Sequence, residues 1–128
     1  MRRFLIAAAA VCGLCLGVVS VRAADKDKEI HGVLIDNMCG AKQLDKSNPE
    51  EAAKGHPKSC AMKESCSSSG FGVVSGKKLI KFDDAGNAKA KEYLGVKENA
   101  TKVVVVGTMS DDGKTLNVKE IRADKKST

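Results

Sequence analysis

Apolar residues recur along this chain at strand-like spacing in five places and thin out in one. Glu29 to Ile35 (EIHGVLI) carries Ile30, Val33 and Ile35 and reads as a first strand. Gly32 within it suits a bulge or a tight coil. Phe71 to Val74 reads as a second strand, Ser75-Gly76-Lys77 as a tight turn, and Lys78 to Phe82 (KLIKF) as the return strand of a hairpin. Ala88 to Leu94 (AKAKEYL) has helical spacing, with Gly95 as its stop, and the turn cluster Asp83 to Asn87 ahead of it can cap it. Lys102 to Met109 (KVVVVGTM) is the strongest strand signal. Its consecutive valines predict burial on both faces, or a strand crossing between packing layers. Ser110 to Lys114 is a hairpin loop, Thr115 to Ile121 (TLNVKEI) the last strand, and Asp124 to Thr128 a charged, frayed tail.

The thin stretch runs from Asp36 to Ser69, punctuated by Asn48-Pro49 and His56-Pro57. Ser47 or Asn48 can cap a short helix through Pro49 to Lys54, ended by Gly55, and Ser59 to Lys63 is a further helical turn. The order is therefore strand, insertion (36–69), strand, strand, helix, strand, strand. It predicts a mainly β fold, a small five-stranded OB-like Greek-key barrel with one short helix between strands three and four and a partly helical insertion after strand one. Gly32, Gly72 and Gly107 suit the coiling of such a barrel. An open meander of two hairpins covered by the helix is the alternative.

The N-terminus changes how the rest is counted. Met1 to Phe4 is a basic start, Leu5 to Val21 an apolar run, and Val21-Arg22-Ala23 a small-x-small pattern. Residues 1–23 are expected to be a cleaved signal peptide, leaving a single domain over 24–128 in the periplasm or outside the cell. An uncleaved anchor is the competing reading. The run is marginally short for a span and the charged stretch Asp25 to Glu29 follows it, so no stable membrane anchor is expected after cleavage. A lipid-attachment cysteine usually follows Gly or Ala, whereas Cys12 follows Val11 and Cys15 follows Leu14. The only CxxC, Cys12 to Cys15, leaves with the signal, so three of the 5 cysteines remain. Loss of Arg2, Arg3 and Arg22 lowers the 22 basic residues to 19 against 16 acids, and the net charge from +6 to about +3. With Phe71, Phe82 and Tyr93 as the aromatics and both charge signs interspersed, no nucleic-acid partner is expected. About 105 residues bury a thin core, and exported domains of that size often carry a covalent or metal staple.

The chemistry gathers in the insertion: Asp36, Cys39, His56, Cys60 and Cys66. In an oxidising compartment two of three cysteines should pair. Cys39 to Cys60, or Cys39 to Cys66, would close a loop of roughly 20 to 30 residues, worth about 3 kcal/mol in the chain-entropy treatment. The odd thiol could be buried, reactive or an intermolecular disulfide partner. Three thiolates and His56 would alternatively suit tetrahedral Zn²⁺, and Met38 and Met62 beside them would favour Cu⁺. His56 and Cys60, four apart, share a helix face if one helix holds both, though Pro57 favours leaving His56 at the cap. Cys60 and Cys66, six apart, lie about 240° apart on a helix, so shared ligation needs a break near Ser65. Asp36 is expected to accept from the turn around Cys39, or to orient a ligand histidine. His31 reads as a surface or edge residue and Asp83 as a helix cap rather than part of a calcium loop. No nucleophile with a positioned base is evident, so no catalytic residue is assigned.

The run Asp36-x-x-Cys39, His56-x-x-x-Cys60-Ala61-x-x-x-x-Cys66, Ser69-Gly70-Phe71-Gly72-Val73 resembles an uncharacterised family of small secreted bacterial proteins. Lys81-Phe82-Asp83-x-x-Gly86-Asn87 and Val103-x-Val105-x-Gly107-Thr108 with Leu116-x-Val118 extend the likeness over the whole mature chain. Members often carry a proline shortly before the last cysteine, where this chain has Lys63-Glu64-Ser65. The resemblance implies an exported barrel-like domain and no established activity. The leading expectation is a secreted binding or accessory module whose insertion is stapled by a disulfide. A Zn or Cu binding protein is the alternative, and a thiol redox protein the third reading.

Overall fold

The computed structural model describes residues 26–126. The expected signal peptide, with Cys12 and Cys15, lies outside the described residues. Five strands make one sheet: β1 (Lys28–Asp36), β2 (Phe71–Ser75), β3 (Lys78–Phe82), β4 (Lys102–Met109) and β5 (Thr115–Ala123). The helices are short: α1 (Asn37–Gln43), α2 (Pro49–Lys54), α3 (Lys58–Ala61), α4 (Glu64–Ser67) and α5 (Asp84–Gly95). No described helix is long and apolar enough to cross a membrane.

Strand β1 pairs along two edges. Its first half runs antiparallel to β4 (His31 opposite Val104) and its second half antiparallel to β2 (Ile35 opposite Gly72). With β2–β3 and β4–β5 antiparallel and a short parallel contact of β3 with β5, the order is β1-β2-β3-β5-β4 and the ring of pairings closes. The handover on β1 falls at Gly32 and Val33, where a Cβ on residue 32 would strike the Val74 carbonyl. Glycine is therefore required at that point for the two neighbours to approach. The register of β4 against β5 shifts between Val106 and Gly107, which pair with Glu120 and Val118, so Lys119 is the extra residue of a bulge that bends β5.

Leu34, Phe71, Val73, Phe82, Val103, Val105, Leu116 and Val118 fill the interior, and Ala90 and Leu94 of α5 pack with them. Helix α5 starts earlier than its apolar spacing predicts. Asp83 caps it by accepting from Gly86 N at 2.9 Å and also takes Val118 N at 3.2 Å, so the helix end is bonded to β5.

Val33, Leu34 and Ile35 are all buried, which one face of a strand does not allow. The insertion supplies the second cover. Val33, Ile35 and Val74 form a separate cluster with Ala53 of α2, against which Cys39 and Leu79 pack. Helix α2 forms as predicted: Asn48 Oδ1 accepts from Glu51 N at 3.3 Å and Pro49 opens the first turn. Glu50 Oε2 then accepts from Gly76 N at 2.9 Å, fastening α2 to the β2–β3 turn. Lys58 Nζ at the start of α3 donates to the carbonyls of Val96, Lys97 and Asn99, fastening α3 to the loop after α5.

Candidate metal centre

Strand β1 ends at Asp36, which is fully buried. Its Oδ2 accepts from Cys39 N at 2.9 Å, so the carboxylate is the N-cap of α1 and sets Cys39 in the first turn. This matches the turn role expected for Asp36. Gly40, next in the helix, lets α1 lie close on the sheet: a Cβ there would stand 3.0 Å from Ile35 Cγ2 and from Leu79 Cδ1.

Helices α3 and α4 are separate. Lys63 is extended (φ −61°, ψ 140°) and caps α4, so the chain breaks its helical phase between Cys60 and Cys66. The break comes at Met62–Lys63, ahead of the expected Ser65, and has the required effect. The Sγ atoms of Cys39, Cys60 and Cys66 all lie within 4.8 Å of one another. Cys66 is buried and the other two are half-buried, and all three are free thiols in the structure.

The shared helix face of His56 and Cys60 does not form. Pro57 is extended and caps α3, which leaves His56 outside it. Instead a ring nitrogen of His56 lies within 4.8 Å of both a carboxylate oxygen of Asp36 and Cys39 Sγ. The five expected donors thus form two groups, Cys39–Cys60–Cys66 and Asp36–Cys39–His56, with Cys39 common to both. Asp36 Oδ1 and His56 Nε2 are buried without a hydrogen-bond partner. Of the expected thioethers, Met62 packs against the main core and Met38 is 45% exposed.

The Cys39 thiol is pushed up to about 12, first by burial, then by the Asp36 carboxylate, then by the Cys66 thiol beside it. Without a cation Cys39 holds its proton. A bound metal ion reverses this balance, since coordination deprotonates a thiol.

The sequence reading missed Ser69, which reads as part of a flexible serine lead into β2. Ser69 Oγ accepts from Met38 N at 3.1 Å and donates to Cys66 O at 2.6 Å. One hydroxyl therefore joins the start of α1 to the end of α4, the helices that carry Cys39 and Cys66. Asn37 Nδ2 donates to Ser69 O at 2.9 Å and closes the same junction. Away from the cluster, the edge residue His31 pairs with Asp124, Nδ1 to Oδ2 at 2.9 Å. Compared with known proteins, the chain matches no family model, no curated protein and no solved structure.

Proposed function

We propose that this chain is an exported transition-metal binding module, holding a soft ion, Cu⁺ or Zn²⁺, on the thiolates of Cys39, Cys60 and Cys66. The supporting observation is that three sulfurs from three separate helices converge within 4.8 Å. A metal–sulfur bond of about 2.3 Å places ligand sulfurs about 3.8 to 4.0 Å apart, so the observed spread requires little more than side-chain adjustment. Cys39 and Cys60 keep part of their surface exposed, which gives an ion a route in. The scaffold we read as an OB-type Greek-key barrel, on the strand order β1-β2-β3-β5-β4 and the helix between its third and fourth strands.

A disulfide is the second reading, favoured by the Cys39 and Cys66 sulfurs lying within 4.8 Å of each other. It would staple α1 to α4 and leave Cys60 as the odd thiol. One preparation separates the two readings. The exported protein is taken from its compartment, its thiols are alkylated and counted by mass spectrometry, and metals are measured on the same sample. Stoichiometric Zn or Cu with three thiols recovered after metal removal is the expected result. One free thiol and no metal would overturn it in favour of the staple.

A further inference from the structure

Among the described residues, three buried side-chain polar atoms lack a partner, and two of them, Asp36 Oδ1 and His56 Nε2, belong to one donor group with Cys39. Buried polar atoms are nearly always bonded, because an unmet one has given up its water for nothing in return. Here the carboxylate is already divided: Oδ2 is committed to Cys39 N, and Oδ1 is left over inside a wholly buried residue. A cation between Asp36, Cys39 and His56 would satisfy both orphaned atoms at once.

Charge argues the same way. Three thiolates and one carboxylate carry four negative charges, which one divalent ion halves and two cancel. The donor chemistry differs between the groups. Three sulfurs suit a soft ion, whereas one oxygen, one nitrogen and one sulfur suit a borderline divalent ion such as Zn²⁺. We infer that the cluster is a two-cation site: a second, borderline divalent ion sits on Asp36, Cys39 and His56, and the Cys39 thiolate bridges it to the ion held by the three cysteines. This rests on the thiolate reading above.

The test uses Co²⁺ as probe on the reduced, metal-free exported chain, under anaerobic conditions. Bound metal is counted by equilibrium dialysis, and electron paramagnetic resonance follows the cobalt. The expected result is two Co²⁺ per chain, with the second equivalent quenching the signal of the first through the shared sulfur. His56→Gln and Asp36→Asn, the latter keeping an oxygen for the helix cap, should each drop the count to one without weakening that ion more than a few-fold. Cys60→Ser should remove the other ion and leave one bound through His56. A single ion per chain, its count unchanged by His56→Gln, overturns the second site while leaving the thiolate reading intact. A single ion weakened tenfold or more by His56→Gln also overturns it, and makes His56 a ligand of the thiolate-bound ion. No bound Co²⁺ overturns the second site and a Zn²⁺ centre on the thiolates, and if the same chain also fails to bind one Cu⁺, the thiolate reading falls with them.

Discussion

Cys39 belongs to both donor groups, and everything near it opposes its ionisation. Burial, the Asp36 carboxylate and the Cys66 thiol together hold its proton up to about 12. The folded value is raised, so the contribution to stability is present in full below the ordinary thiol value of 9.0 and is lost as pH climbs towards about 12. Denaturant melts of the reduced, metal-free protein should therefore show stability falling across that alkaline window. The fall should be shallower in Cys39→Ala than in the parent. Equal slopes in the two proteins would remove Cys39 as the cause. At this scale the sequence was partly legible. An Asp three residues before a cysteine predicts a capped turn from short-range geometry alone, and Asp36 makes that turn. The partners of His56 were not legible. Its spacing to Cys60 suggests a common helix, but an extended Pro57 releases His56 towards Asp36, which is distant in sequence.

The elements that carry the cysteines are too short to hold themselves. Helices α3 and α4 have 4 residues each, below the length at which an isolated helix persists, so their positions come from contacts with other parts of the chain. Ser69 supplies one such contact by bonding α1 and α4 through a single hydroxyl. Ser69→Ala should cost about 1–2 kcal/mol in a urea melt, for two hydrogen bonds lost. It should also weaken metal binding by about 10- to 100-fold in a chelator competition, as removal of a group that orients ligands typically does. Ser69→Thr, which keeps the hydroxyl, should restore much of the affinity. Unchanged affinity in Ser69→Ala would mean that the metal alone aligns the two helices. The strands were readable because alternation and β-branched runs signal burial directly, as in Lys102–Met109. Helix α1 was not, since Gly40 lowers local helix propensity and is there for contact with Ile35 and Leu79, which no local pattern encodes.

Across the whole molecule, two layers share β1. Leu34 faces the interior, while Val33 and Ile35 face a small outer cluster built from the insertion. The strand order could be read from the order of apolar runs, but the outer layer could not. Its apolar contribution from the insertion is little more than Ala53 and Cys39, and the remainder of its hold is polar, through Glu50 to Gly76 and Lys58 to the loop after α5. A metal ion on Cys39, Cys60 and Cys66 would join three separate helices of this lightly packed layer. Binding to the folded state alone, at free metal one hundred times the dissociation constant, adds about 2.7 kcal/mol. For a domain of this size that corresponds to a melting temperature higher by roughly 10–20 °C. Stripping the metal with a chelator should lower the melting temperature by that order in the parent and by far less in Cys60→Ser. Hydrogen exchange should localise the change. Amides of α3 and α4 should lose protection when the metal leaves, while those of β4, whose Val103 and Val105 are fully buried, should keep theirs. If protection fell equally in β4 and in the insertion, the ion would be holding the closed sheet together rather than pinning its outer layer.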